Sequence, residues 1–174
     1  MDTTTERKMP RGNSGATILT TPSDTELVIA RSFGAPPELV FAAWTEPRHV
    51  KRWWGPHGFV TTLCEIDLRV GGAFRIEMRG PDGTIYPIDG TYREITRPSR
   101  LVYDEIFGCL GRPDLSSVVT VSFTRIAAGT DVTVHTACMS REHRDGLIEV
   151  GVERGWSETF ERLSGYLPEM EIKK

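Results

Sequence analysis

The sequence predicts an α+β fold in which a curved antiparallel β-sheet wraps around one long C-terminal α-helix. Three observations carry that prediction. Apolar residues recur with period two through the middle of the chain, from Phe59 to Cys138, as they do on half-buried strands. Beyond Ser140 the spacing changes to three and four, with Ile148, Val152, Trp156, Thr159, Leu163 and Leu167 on one stripe, the mark of an amphipathic helix. Between the first strand and the rest lie two short segments, each opened by proline at a position a first helical turn tolerates. A sheet with one apolar face and a single amphipathic helix bury both surfaces when the sheet curls onto the helix.

In chain order, residues 1–23 are rich in Thr, Arg, Gly, Ser and Pro without periodicity, and read as a flexible tail ahead of a domain over 24–170. Glu26–Phe33 alternates Leu27, Ile29 and Phe33 as a strand. Ala35-Pro36-Pro37 starts a helix whose apolar side is Val40, Phe41 and Trp44. Pro47 starts a second, ended by Gly55-Pro56. Cys64, Ile66 and Leu68 share a face opposite Glu65, Asp67 and Arg69; after Gly71-Gly72, Phe74, Ile76 and Met78 oppose Arg75, Glu77 and Arg79. Pro81-Asp82-Gly83 is a turn, followed by strands over Ile85–Thr96, Leu101–Phe107, Ser117–Ile126 and Thr130–Cys138. Gly108–Ser116 reads as a longer loop. The final helix is expected to run unbroken from an N-cap at Ser140 to Pro168. Gly151 and Gly155 lie on or beside its buried stripe, where each costs a helix roughly 1 kcal/mol against alanine. They leave room for a close strand or a ligand.

The 174 residues suit one domain, large enough to bury about 70% of its unfolded surface. A net charge of −3 argues against a general nucleic-acid binder. No apolar run approaches the ~20 residues that span a bilayer, and the opening residues lack the apolar core of a secretory signal. A cytoplasmic location without membrane insertion is expected. The three cysteines, Cys64, Cys109 and Cys138, form no CxxC and leave an odd count, which suits a reducing compartment.

The segment Ala35–Gly72 also carries a resemblance: two short helices, a Trp-Trp-Gly-Pro corner and Asp67-x-Arg69-x-Gly71-Gly72 follow one another almost without spacer. It resembles the helix-grip domains of the START-like superfamily (SRPBCC), in the branch named after the activator of Hsp90 ATPase, and the likeness extends over nearly all of residues 25–168. That resemblance implies a cavity between sheet and long helix, with the two short helices at one mouth. It also implies a range of occupants, from lipids and sterols to polyketides and hormones, with a minority of members acting as cyclases or hydrolases.

The candidate binding residues follow from the alternation. Trp44, Trp53, Trp54 and Phe59 cluster near the short helices, either as a stacking wall and lid for an aromatic ligand or as a plug for that end of the core. Phe74 and Ile76 join the apolar face. Tyr86 and Tyr92 share one strand face, Tyr103 and Glu105 another, while Val152 and Trp156 face the sheet from the long helix. A carboxylate among apolar neighbours is paired, protonated or hydrated, so Glu105 is the sharpest site if it is buried and an ordinary strand-end residue if it reaches water. Asp67, Arg69 and the double glycine read as a hairpin-fixing device on the polar face, where the carboxylates also include Glu65 and Glu77. His49, His57, His135 and His143 show no metal-ligand spacing, and no catalytic residue, metal or cofactor is assigned. No GxGxxG, GxxxxGK or GxSxG is present.

The expected function is binding of a small hydrophobic or aromatic molecule in an internal cavity. Two alternatives remain open: a chaperone-partner module acting on Hsp90, and a cyclase or hydrolase in which Tyr86, Tyr103 and Glu105 polarise a carbonyl. Edge strands of an open sheet also invite a homodimer.

Overall fold

The structure, a computed structural model, describes residues 15–172. Eight strands form one antiparallel sheet in the order β1-β2-β8-β7-β6-β5-β4-β3. They are β1 (Ile18–Thr20), β2 (Glu26–Phe33), β3 (Val60–Ile66), β4 (Ala73–Arg79), β5 (Ile85–Thr96), β6 (Arg100–Phe107), β7 (Ser117–Ile126) and β8 (Gly129–Ala137). From β3 to β8 each strand pairs with its successor, as short hairpin connections favour. β2 closes onto β8 over its whole length, Glu26 opposite Ala137 and Phe33 opposite Thr130. Register shifts at Thr61/Leu63 and Tyr92/Glu94 mark bulges, which bend strands and increase twist. They help the sheet curl. The α+β helix-grip architecture predicted from the sequence is the one observed.

The helices α1 (Pro37–Thr45) and α2 (Pro47–Trp53) follow β2. Each has proline in its first turn, where the missing N–H costs nothing. Val40, Phe41 and Trp44 are buried, as the pattern required. Trp53 is fully enclosed, and its indole N–H donates to the Ala43 carbonyl at 2.9 Å. The core between sheet and helices centres on Phe160 and Leu163, both fully buried, with Phe33 edge-on to Phe160 at 5.3 Å.

Two expectations need correction. Residues 1–14 of the expected tail lie outside the described residues, but Ile18–Thr20 is a strand, in register with Val28–Ala30 of β2. Three residues are too short for an alternation to be visible, and the free edge of β2 supplies the hydrogen bonds that make them a strand. The C-terminal helix, expected to be continuous, is divided into α3 (Arg141–Glu149) and α4 (Val152–Ile172). Gly151 adopts φ = +86°, a left-handed conformation that ends a helix and that only glycine adopts cheaply. The break takes Ile148 off the buried stripe and leaves it exposed. Ser140 does cap α3, its hydroxyl accepting from His143 N–H at 3.0 Å. Pro168 lies inside α4 instead of ending it. The Asp67–Gly72 segment is the hairpin device expected: Arg69 bonds Asp67 at 2.8 Å, and Gly71 and Gly72 exchange backbone hydrogen bonds with Tyr92.

Candidate functional site

Between the concave face of the sheet and the α3–α4 corner lies a cavity of about 650 Å³, within the range of small-molecule sites. Its floor comes from inward positions of the strands, including Leu27 and Ile29 of β2, Ile88 of β5, Val119 of β7 and Val134 of β8. Leu147, Val152, Gly155 and Trp156 close it from the helical side, and Trp54, Phe59 and Met78 from the third. The wall is mostly hydrocarbon and aromatic ring, with Glu105, Thr136 and Thr159 among its polar members.

The tryptophans divide between core and wall. Trp44 stacks on Trp156, rings 5.9 Å apart and 14° from parallel, and also meets Trp53 at 5.0 Å. Trp54 is edge-on to Trp156 at 5.6 Å. Trp44 and Trp53 are sealed in the core, whereas Trp54 and Trp156 reach the cavity. The corner that carries Trp54 is tied to α4 by Arg162, whose guanidinium donates to the carbonyls of Trp54 (3.1 Å) and Gly55 (2.8 Å). One cation satisfying these carbonyls fixes the aromatic wall against the long helix. Burial holds this guanidinium below its ordinary pKa.

Of the polar candidates, Glu105 lines the cavity. It sits on β6 opposite Gly90 of β5 and Ser117 of β7. No side-chain hydrogen bond or ion pair reaches its carboxyl among the described residues. Desolvation alone pushes its pKa from 4.5 to about 7, because burial disfavours the charged form when nothing compensates it. Tyr103, two residues earlier on the same face, does not line the cavity. It packs with Phe74 (5.0 Å) and Tyr92 (6.0 Å) in a closed aromatic cluster. Burial lifts its hydroxyl pKa well above the usual phenol value, and that of Tyr92 as well. Tyr86 leans on Phe59 at 5.8 Å and Ile76 is buried in the core, both outside the lining. Five of the sequence-derived candidates therefore meet around one space: Trp54, Phe59, Glu105, Val152 and Trp156. Trp44, Trp53, Phe74, Ile76, Tyr86, Tyr92 and Tyr103 stand behind it.

The other polar groups near the cavity are mostly engaged. Arg154 pairs with Glu158 at 3.2 Å, and His57 with Glu161 at 2.8 Å. Thr159 donates to the Gly155 carbonyl. The Cys109 thiol, also on the wall, is pushed up to about 11 by burial and is a poor nucleophile. A second depression of about 590 Å³ runs across β3–β6, bordered by Glu105 as well as by the outward residues Arg75, Asp89 and Asp104. Its charges neutralise one another, Arg75 binding Glu77 at 3.0 Å and Asp89 at 2.7 Å. It is more polar and more open to solvent than the cavity under the helices. No group of three His, Cys, Asp or Glu among the described residues is arranged to hold a metal ion.

Residues 34–168 match the family described as "Activator of Hsp90 ATPase homolog 1-like protein". The chain belongs to that family. Solved structures agree in fold. A crystal structure of a protein from Rhodobacter sphaeroides is 24% identical, with a TM-score of 0.79 over 88% of this chain and 98% of that one. A crystal structure from Mycobacterium smegmatis is 25% identical (TM-score 0.78, covering 87% and 97%), and a solution structure from Arthrobacter aurescens 27% identical (TM-score 0.77, covering 87% and 91%). No curated protein matches this chain. Among the described residues, no helix of this family member is long and apolar enough to cross a membrane.

Sequence reasoning missed much of the floor, including Leu27, Ile29, Ile88, Val119 and Val134. Their alternation was visible and marks them as inward. What was missing is the position of α4, which covers some inward residues and leaves others facing the void.

Proposed function

We propose that this protein binds a small hydrophobic or aromatic molecule in the cavity between the sheet and the C-terminal helices. The observation that carries the reading is the 650 Å³ apolar space walled by Trp54, Phe59 and Trp156, large enough for a bicyclic or tricyclic ligand and supplied with ring faces to stack on. The cyclase alternative is less well supported. It calls for Tyr86 and Tyr103 beside Glu105 around one reacting carbonyl, whereas both tyrosines stand outside the lining. The chaperone alternative rests on the family's name. Its physical counterpart would be a broad exposed apolar patch, and the large exposed apolar side chains, Val60, Val70, Ile85, Met139, Ile148 and Val150, are spread over several elements.

A neutral fluorescent probe, N-phenyl-1-naphthylamine, tests the reading directly. It is expected to bind one per chain and to quench tryptophan emission, through Trp54 and Trp156. Val134→Phe, which fills the floor, should weaken binding at least tenfold in a protein that still unfolds cooperatively. Binding that is absent, or unaffected by the filled floor, would refute cavity binding.

A further inference from the structure

We infer that the cavity selects ligands that join an apolar or aromatic body to a single ammonium group, which is held by the Glu105 carboxylate. This inference rests on the cavity-binding reading and adds the chemistry of the occupant.

The argument is one of unmatched polarity. Glu105 is half-buried on a mostly apolar wall; without a side-chain partner its carboxyl leaves up to four acceptor positions to be filled from the cavity, and a charge drawn partly out of water is disfavoured unless it is paired. Proteins keep such a group where something else completes it. Among the described residues no side chain does. The elements around Glu105 offer it no uncommitted cation among the described residues. On β6 its neighbour is Tyr103, on β5 Tyr92, and in the following turn Cys109, all three held neutral by burial. From β7 and β8 the cavity is met by Val119, Val134 and Thr136, none of which titrates. From the helical side come Glu149, Glu158 and Arg154, and from the aromatic corner His57. Arg154 and His57 are both committed to carboxylates of α4.

The cavity therefore carries an excess of acid: Glu105 inside and Glu149 at the exposed mouth. An anionic ligand would face both. A neutral carbonyl could accept one hydrogen bond from a protonated Glu105 but would leave the other oxygen idle. An ammonium donates up to three hydrogen bonds and neutralises the Glu105 carboxylate, and a charge-assisted hydrogen bond is about twice as strong as a neutral one. The hydroxyl of Thr136, also on the wall, is a second acceptor for it.

Protonation follows from the same geometry. The carboxyl titrates at about 7, so near neutral pH it is about half protonated. Binding an ammonium draws it into the charged form, and the displaced proton goes to buffer. A primary alkylammonium stays charged throughout this range. Its affinity should therefore rise by about tenfold between pH 6 and pH 8, with about half a proton released per ligand at pH 7.

Three probes with one aromatic body separate the outcomes: 1-naphthylmethylamine, 1-naphthalenemethanol and 1-naphthoic acid, titrated calorimetrically into the full-length protein in two buffers of different ionisation enthalpy. The amine is expected to bind at least tenfold more tightly than the alcohol at pH 8, with the acid weakest. In Glu105→Gln the amine-to-alcohol ratio should fall to about one, and proton release should disappear. Equal binding of amine and alcohol, tightest binding of the acid, or an amine preference that survives Glu105→Gln would overturn the inference while leaving the cavity reading intact. Failure of all three probes to bind would overturn both together.

Discussion

Replacing Glu105 by glutamine should stabilise the protein at alkaline pH and change little at pH 4. The carboxyl titrates at about 7 in the folded protein against 4.5 ordinarily. Between those values the native state holds a proton that the unfolded chain has already lost. Stability therefore falls as pH rises through this window, and the penalty is complete above the folded value. At 1.36 kcal/mol per pKa unit the full penalty approaches roughly 3 kcal/mol, and the partial exposure of the carboxyl reduces it to roughly 2–3 kcal/mol at pH 8. Glutamine keeps the shape and polarity of the neutral acid without the titration. Urea midpoints of both proteins at pH 4, 6 and 8 measure the effect, provided the slope m is shared. Other carboxylates titrate alike in the two chains and cancel in the difference. The two stability curves should meet at pH 4 and diverge steadily towards pH 8. Parallel curves, or a variant less stable than the parent at pH 8, would show that the carboxyl is solvated or paired, and the argument from desolvation would fail.

Two further substitutions probe the frame around the site. Gly151→Ala meets no atom within 4 Å, so its cost is the strain of placing a side chain at φ = +86°; it should lower stability by about 1–2 kcal/mol in urea denaturation, and Gly151→Asn by less. Gly90→Ala is the converse case, with an ordinary backbone but a Cβ that would sit 2.1 Å from the Phe74 ring. It should displace the Phe74–Tyr92–Tyr103 cluster at a cost of about 1–3 kcal/mol, visible as a changed near-ultraviolet circular dichroism signal with the far-ultraviolet signal retained.

Period-two alternation from Phe59 to Cys138, proline-opened short helices and the Asp67–Gly72 hairpin device were all legible because each depends on neighbours within a few residues. The same local signals misled at the C-terminus. Gly151 lies beside a continuous apolar stripe, and glycine inside a helix pattern looks the same in sequence whether its φ is negative or, as here, positive. The short strand Ile18–Thr20 was likewise invisible, since its hydrogen bonds come from the edge of β2.

The candidate site shows the same division. Alternation by itself determined that Leu101, Tyr103, Glu105 and Phe107 point the same way. It carried no information about depth along that face. Only the tertiary structure decided that Leu101 and Tyr103 are sealed in the core, while Glu105 and Phe107 open onto empty space. The physical reason is that a strand's periodicity is a property of its own backbone, whereas a cavity is the volume left between a curved sheet and the helices that do not quite fill it.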